Sequence, residues 1–413
     1  MKLLSSLLKR FVTKGTMRIY DAEGKLHEFS GAVKEPVITV RIHDKSLYTS
    51  LFLSPDVRAG EAYMDGTLTF EDGTDSLKFL EFFLLNRSGL RSHPLQKLLK
   101  KSRRKFKRIY QYNPVKRSRK NAAHHYDVSE QIYRLFLDKD MQYSCAYFKS
   151  PEDTLEVAQL NKKRIIAAKL QISDGMKILD IGCGWGGMAL YLAQMFDVEV
   201  TGISLSAEQI RVARSRARAL GLEGRVRFEY CDYREMDRQF DRIVSVGMLE
   251  HVGAQHLEEY FTKLRALLKN DGAALVHSIG RMNPPGATNP FIRKYIFPGG
   301  YVPSLSEVVP PMERQHLWTA DCEIWRKHYH YTLLEWRKRF LEHWDEAVEI
   351  ADERFCRMWE FYLTATAMSF MHGRMMVFHM LFSKNIHTFP MTRDFIAEEE
   401  ARLKKREKEL GIE

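Results

Sequence analysis

The residues best suited to chemistry lie in one glycine-rich stretch, DIGCGWGG, between Asp180 and Gly187. A short apolar run precedes this stretch, and a helical pattern follows it. A strand that enters a glycine-rich turn and leaves it as a helix forms a cradle for a nucleotide-like ligand. Because Gly182, Gly184 and Gly186 lack a Cβ atom, the backbone is free to adopt positive φ and to approach such a ligand closely.

Two details favour S-adenosylmethionine (SAM) over a dinucleotide. Asp180 at the predicted strand end gives the pattern D-x-G-x-G-x-G, which is typical of SAM-binding turns. A dinucleotide site would have an acidic residue about 20 positions later to bind a ribose. That region reads TGISLS, residues 201–206, and carries no carboxylate. The pattern therefore predicts SAM, with another nucleotide as the alternative.

The elements around this turn predict an α/β fold. Five strand patterns alternate with helices from residue 176 onward, which implies a parallel sheet with right-handed crossovers. Ligands of such sheets bind beyond the carboxyl ends of the strands. The polar residues expected there, beside the glycine turn, are Ser204, Asp232, Tyr233, Glu250 and His277.

The length of 413 residues predicts two domains and a flanking segment. We expect a smaller N-terminal α+β domain at 1–86, a basic linker at 87–121, the catalytic domain at 122–390 and a charged helix at 391–413. Residues 1–14 have apolar positions at helical spacing, which fits either a helix on a membrane surface or a helix covering the core. Within the catalytic domain, helices are predicted from Ser150 (as N-cap) to Leu170, over 330–348 and over 353–382.

The segment from Arg87 to Lys120 contains fourteen Lys or Arg and no Asp or Glu, which exceeds the net charge of +11 of the whole chain. Anionic lipid and nucleic acid are both partners for such a run, and a solvated linker is the alternative.

The five cysteines are scattered without a C-x-x-C, so we expect neither a disulfide framework nor a metal site. No apolar run approaches the ~18 residues that span a bilayer, and we expect a cytoplasmic protein.

Longer strings resemble one family. They are HYDVSEQIYRLFLDKDMQYSCAYF, LDIGCGWGG, FDRIVSVGMLEHVG, LVHSIG, KYIFPGG and HYHYTLLEW, in order between Asn121 and Lys384. They resemble the cyclopropane-fatty-acyl-phospholipid synthases, within the superfamily of SAM-dependent mycolic acid cyclopropane synthases. Residues 1–86 resemble the N-terminal domain of the long, phospholipid-acting members. The resemblance implies a Rossmann-like SAM-dependent methyltransferase sheet with helical insertions.

The resemblance also implies a reaction. An enzyme of this family transfers a methylene from SAM to the cis double bond of an unsaturated acyl chain in a phospholipid, forming a cyclopropane fatty acid. A bound bicarbonate ion is the base that removes a proton to close the ring. The family's bicarbonate positions correspond to Cys145, Glu250, His277, the backbone of Ile279, and Tyr329. Each of these residues taken alone would also fit an ordinary packing role, so the prediction depends on their combination.

The SAM positions are carried over in the same way. Gly182, Gly184 and Gly186, with Asp180, border the methionine moiety, and Tyr143 and Ser144 contact its carboxylate or amino group. Ser204 and Gln209 correspond to the ribose positions, and Asp232 and Tyr233 to the adenine positions. Aromatic residues suited to shield a cation from water are Tyr143, Tyr147, Phe148, Tyr295, Phe297 and Tyr329.

The expected partner is unsaturated phospholipid, reached by peripheral association with the inner face of the membrane and without nucleic acid; homodimer formation is left open. One alternative is a related SAM-dependent lipid C-methyltransferase that gives a methyl-branched or methylene product. Small-molecule N-methyltransferases and an RNA-binding protein are further alternatives, which the phospholipid-type N-terminal domain and the lack of a nucleic-acid motif disfavour.

Overall fold

The computed structural model describes residues 1–92 and 130–412, which divide into two units. The first unit contains residues 1–92, 286–298 and 333–374, and the second contains residues 130–285, 299–332 and 375–412. Most of the basic segment, residues 93–120, lies outside the described residues. The predicted domain boundaries at 86, 121 and 390 stay predictions.

Helices and strands are numbered in chain order. The helices are α1 Lys2–Phe11, α2 Leu47–Leu53, α3 Pro55–Met64, α4 Ser76–Leu85, α5 Arg87–Ser92, α6 Glu130–Phe136, α7 Leu155–Leu170, α8 Gly187–Met195, α9 Ala207–Ala219, α10 Leu257–Leu267, α11 Pro290–Tyr295, α12 Leu305–Arg314, α13 His328–Glu342, α14 Trp344–Ile350, α15 Glu353–Met371 and α16 Asp394–Leu410. The strands are β1 Thr16–Tyr20, β2 Leu26–Ser30, β3 Val37–Ile42, β4 Leu68–Glu71, β5 Lys177–Ile181, β6 Glu199–Ser204, β7 Val226–Tyr230, β8 Phe240–Val246, β9 Leu268–Arg281, β10 Trp318–Trp325 and β11 Met375–Ser383.

The first unit is built on a mixed sheet in the order β2-β1-β3-β4, with β1 and β3 parallel. Helix α1 buries Leu4, Leu7, Leu8 and Phe11, which are the apolar positions seen in the sequence. The structure therefore has the second of the two predicted alternatives, because the apolar stripe of α1 covers the core of its own unit.

The second unit is built on a seven-stranded sheet in the order β10-β11-β9-β8-β5-β6-β7. Strands β5 to β9 pair in parallel, which confirms the predicted parallel α/β sheet. Strands β10 and β11 add an antiparallel edge that the sequence did not predict. The carboxyl ends of β5, β6, β8 and β9 lie at one edge of the sheet, where a ligand site is expected.

Three predicted helix boundaries were wrong. The helix placed at Ser150 begins at Leu155, because Asp153 accepts hydrogen bonds from the amides of Lys149 and Ser150 and closes a turn there. The single helix predicted over 330–348 is divided at His343 into α13 and α14. The pattern over 353–382 is helix α15 followed by strand β11, whose residues are almost all buried. A strand buried on both faces lacks alternation and resembles a buried helix in sequence.

Candidate functional site

The glycine turn connects β5 to α8. Gly182, Gly184 and Gly186 have φ of 79°, 53° and 88°, in the left-handed region that favours glycine. A Cβ atom built at Gly186 would lie 2.7 Å from the Phe228 ring, whereas one built at Gly184 would meet no atom within 4 Å. Gly186 is therefore required for packing, and Gly184 is the glycine beside which the structure leaves room for a ligand.

Asp180 is the acidic residue of this turn and is buried. Burial raises the pKa of its carboxyl group to about 7. Its Oδ2 atom has no hydrogen-bond partner among the described residues. A buried polar atom without a partner costs ~1–3 kcal/mol, so this oxygen fits a site that a polar ligand completes.

The turn after β6 holds the two residues predicted for the ribose. The Ser204 hydroxyl donates to Oε1 of Gln209 at 2.9 Å. The Ser206 hydroxyl caps α9 by accepting from the Gln209 backbone N–H at 3.3 Å. The Gln209 amide nitrogen makes no hydrogen bond within the described chain, so it is oriented by Ser204 and available as a donor to a ligand hydroxyl.

The two residues predicted for adenine are already engaged with Arg234. Both carboxylate oxygens of Asp232 accept from the Arg234 guanidinium, at 2.9 and 2.8 Å. The same guanidinium lies over the Tyr233 ring, 5.4 Å from its centroid. The Asp232 carboxylate therefore serves first to cap the turn after β7, and an adenine contact from its side chain would be shared with Arg234.

The segment from Tyr143 to Cys145 is held by a lysine that is fully buried. Lys162 of α7 donates to Oε1 of Gln142 at 2.6 Å and to Oγ of Ser144 at 2.7 Å. Burial lowers the pKa of Lys162 to about 8, so the ammonium group remains predominantly charged at neutral pH. Its charge partly opposes the burial that raises the pKa of Cys145 and of Asp180. The positive charge of Lys162 therefore acts on both the loop that carries Cys145 and the glycine turn.

Two hydrogen bonds join the loop that carries Cys145 to the start of α13, which carries Tyr329. The Ala146 backbone N–H donates to Oγ1 of Thr332 at 3.0 Å, and the Phe148 N–H donates to Nδ1 of His328 at 3.1 Å. These bonds bring the segments of Cys145 and Tyr329, which are distant in sequence, together. Burial raises the pKa of the Cys145 thiol well above its usual range, so this side chain stays protonated.

Glu250 follows β8 in a short 3₁₀ turn and is bonded to the neighbouring strand β9. Its Oε1 atom accepts from the Ile279 backbone N–H at 2.6 Å, and its Oε2 atom is buried without a partner in the described part of the chain. Burial raises the pKa of this carboxyl group to about 7. The backbone of Ile279, which is predicted to bind bicarbonate, thus donates its N–H to Glu250 in this structure.

His277 lies opposite Val246, the last residue of β8, so β9 carries it to the carboxyl edge of the sheet. Burial and nearby lysine charge hold the pKa of His277 well below its usual range, so the ring is neutral. Its Nδ1 atom lies 2.8 Å from Nε2 of His379 on β11. No described residue forms a hydrogen bond with His277 Nε2, which is therefore available to a ligand.

These groups fit a small oxyanion such as bicarbonate beside a SAM site. The Lys162 ammonium supplies positive charge, and the imidazole of His277 has a nitrogen available. The unpartnered Glu250 oxygen could accept an O–H group. For SAM, the open side of Gly184 offers room for close backbone approach, and the unpartnered Asp180 oxygen offers a polar contact.

Lys162 and His379 were not predicted as site residues from the sequence. Lys162 lies in the string NKKRI, where a run of cations is typical of a solvated helix face. In the structure α7 is buried on nearly all sides, and Lys162 is 0% exposed. The sequence pattern predicts a helix at His379, and only the register of β9 with β11 places this residue opposite His277. Neither residue carried a usable signal in the sequence.

Comparison with known proteins identifies the family. The family model described as mycolic acid cyclopropane synthetase matches residues 114–380. The chain is 36% identical over 347 residues to the cyclopropane-fatty-acyl-phospholipid synthase of Escherichia coli (strain K12), covering 84% of this chain and 88% of the relative. It is 37% identical over 275 residues to the tuberculostearic acid methyltransferase UfaA1 of Mycobacterium tuberculosis, covering 63% of this chain and 64% of that one.

A solved structure supports the same assignment. The crystal structure of the mycolic acid cyclopropane synthase CmaA1 complexed with SAH and CTAB matches with a TM-score of 0.62 and 30% identity, covering 66% of this chain and 99% of that chain. The resemblance seen in the sequence is thereby confirmed. The chain belongs to the mycolic acid cyclopropane synthetase family and is an enzyme with the fold of a SAM-dependent methyltransferase.

Proposed function

We propose that this enzyme transfers a methylene from SAM to the cis double bond of an unsaturated acyl chain in a phospholipid, with bicarbonate as the base. The name of the Escherichia coli relative supports the acyl-phospholipid substrate. The observation that carries the proposal is the buried Glu250 carboxyl group. One of its oxygens has no partner among the described residues, and the other accepts from Ile279, two residues after His277 on β9. The position of this oxygen beside β9 supports a polar co-reactant there.

The residues of the chain have separate roles in this scheme. When bound, SAM supplies an electrophilic methyl group and bicarbonate supplies a proton acceptor. Lys162 holds Ser144 in place and makes the site attractive to an anion. His277, neutral because of its burial, donates a hydrogen bond without being an acid, and Glu250 fixes the orientation of the oxyanion. Cys145 stays a thiol and takes no proton, because burial raises its pKa.

Alkylation of an alkene develops positive charge, which requires an apolar site with aromatic faces. The Tyr147 ring stacks on His328 with centroids 4.8 Å apart and packs on Trp325 at 4.6 Å. Tyr147 and Phe148 belong to the loop that meets the start of α13, so they are suited to shield such charge. Tyr295 and Phe297 belong to the first unit, and their predicted role stays a prediction.

The alternative product is a methyl-branched or methylene chain, and the similarity to a tuberculostearic acid methyltransferase supports it. Gas chromatography–mass spectrometry of lipids from cells that express the protein separates the two. A methylene-bridged chain, heavier than its alkene by one CH₂ and resistant to hydrogenation, supports the proposal. A methyl branch supports the alternative, and unchanged lipids from cells with verified soluble protein contradict both.

We propose that the enzyme acts from the cytoplasm as a peripheral protein on the inner face of the membrane, drawn there by the segment 87–120. Among the described residues, no helix is both long and apolar enough to cross a bilayer. Each Lys or Arg near an anionic surface contributes ~1 kcal/mol. The fourteen cations of this segment are therefore sufficient for reversible binding.

Reversing Arg103, Arg104 and Lys105 to Glu is expected to weaken binding to anionic vesicles by about 100-fold, because at least ~3 kcal/mol of attraction is lost. Co-sedimentation with vesicles of phosphatidylglycerol measures the change, and added salt should reproduce it in the unmodified protein. The matched control reverses Lys404, Lys405 and Lys408, which are exposed on α16. Equal loss in the control, or retention on RNA in preference to vesicles, would contradict the assignment.

A further inference from the structure

His379 has no role in the proposed chemistry, but it forms a buried pair with His277, which does. The two residues lie opposite each other on the antiparallel strands β9 and β11, and their facing nitrogens are 2.8 Å apart. Both side chains are buried, with exposures of 2% and 0%. Since a hydrogen bond between two neutral imidazoles contains one proton, the pair has two arrangements with opposite consequences for His277 Nε2.

In the first arrangement His379 Nε2–H donates to His277 Nδ1, which leaves the proton of His277 on Nε2. In the second, His277 Nδ1–H donates to His379 Nε2, which leaves His277 Nε2 as a bare acceptor. The two arrangements also differ at Nδ1 of His379, the nitrogen that points away from His277. Nδ1 carries only a lone pair in the first arrangement and a proton in the second.

The surroundings of His379 Nδ1 favour the lone pair. This atom is buried and has no hydrogen-bond partner among the described residues. The ring packed on His379 is Trp325, with centroids 4.0 Å apart, and the polar atom of that ring, Nε1, is a donor. A proton on His379 Nδ1 would face no acceptor in the described part of the chain, and buried N–H groups without acceptors are rarer than unpaired acceptors.

The charges near the pair keep both rings neutral. The cations Lys169 and Lys162 add to burial in holding the pKa of His379 well below its usual range. Lys169 itself is fixed between Asp321 and Glu323, at 3.0 and 2.5 Å. Burial and these charges disfavour an imidazolium at either histidine, so both rings are neutral, as the two arrangements require.

We propose that His379 donates its Nε2–H to His277 Nδ1 and thereby fixes His277 as the Nε2–H tautomer. His379 is then a positioning residue, which acts through His277 and touches no substrate. The consequence for catalysis depends on the proposed function, because a donor on His277 Nε2 is what an oxyanion in the site requires. The tautomer itself does not depend on it.

The tautomer is measured on the protein with ¹⁵N-labelled histidine by two-bond ¹H–¹⁵N correlation, without substrate. The signal of His277 is assigned by its disappearance in His277→Gln. We expect a protonated Nε2 and an unprotonated Nδ1 for His277. A protonated Nδ1 would overturn the proposal, whatever the activity of the enzyme.

Two substitutions test the causal role of His379. His379→Leu removes the donor, and we expect His277 to become a mixture of tautomers. His379→Gln retains an N–H donor, and we expect it to restore the Nε2–H form and most of the turnover. Leu381→Met, on the same face of β11 and buried to the same degree, is the matched control for packing and should change neither readout.

The outcomes separate this inference from the proposed function. A His277 that keeps its Nε2–H form in His379→Leu would show that His379 does not set it, and the inference would fail. If the tautomers behave as expected but the unmodified enzyme does not respond to bicarbonate, the role of bicarbonate fails and the inference stands. The inference would also be overturned if His379→Leu lost turnover with an unchanged His277 tautomer and His379→Gln did not restore turnover. That result would indicate a purely structural role for His379.

Discussion

Replacing Glu250 with Gln, or His277 with Ala, is expected to lower turnover by about 10²–10⁴-fold, which is the range for lost acid–base catalysis. The affinity for SAM should change little, because neither residue lies in the glycine turn or in the turn after β6. The structural reason is that one Glu250 oxygen and the His277 Nε2 atom, which follow or end the neighbouring strands β8 and β9, have no hydrogen-bond partner among the residues described. Turnover on vesicles of unsaturated phospholipid and calorimetric titration with SAM measure the two effects.

Cys145→Ala is the matched comparison for this prediction. The Cys145 thiol is buried and its raised pKa keeps it protonated. Turnover should therefore fall less in Cys145→Ala than in the Glu250 and His277 variants. Adding bicarbonate to degassed buffer should stimulate the unmodified enzyme more than the Glu250 and His277 variants. Full activity of both variants would remove these residues from the reaction and leave the SAM site unaffected.

The pH dependence of turnover should report Glu250. Burial raises the pKa of this carboxyl group to about 7, so the group is protonated below that pH and ionised above it. If the carboxylate is the form that orients the oxyanion, turnover rises as pH increases through about 7, with the bicarbonate concentration held constant. Glu250→Gln has no group to ionise and should lose this rise. A rise that persists in the Gln variant would assign it to another residue.

The parallel core and the glycine turn could be predicted because their signals are local. Strands β5 to β9 alternate with helices, and the glycines at 182, 184 and 186 stand where φ is positive. These features depend on a few neighbouring residues, and such patterns are visible in one sequence.

The parts that could not be predicted depend on contacts between distant segments. Strand β11 has no alternation because both of its faces are buried, and its pairing partner β9 is about a hundred residues away in the chain. Lys162 looks like a surface residue until α7 is seen to be buried. The hydrogen bond from the Ile279 N–H to Glu250 could not be predicted either, because it depends on how the ends of two strands meet.

Gly184→Val is expected to lower SAM affinity by about 10- to 100-fold, because overpacking a fitted site costs ~1–3 kcal/mol. The protein should still fold. A Cβ atom built at this position meets no atom within 4 Å, and the φ of 53° costs an L-residue ~1–2 kcal/mol. The matched control is Gly175→Val, because Gly175 also has positive φ, at 81°, and open space around its Cβ position, but lies before β5 at the opposite end of the strand.

Calorimetric titration with SAM and thermal unfolding without ligand separate binding from stability for this pair. Both variants should lose a few degrees in Tm, since the backbone strain is of the same kind. Only Gly184→Val should lose SAM affinity, because only there does the new side chain occupy the space beside the turn where the ligand must approach. Equal SAM affinity in the two variants would show that the open side of Gly184 is not the cofactor site, and the unpartnered oxygen of Asp180 would then need another explanation.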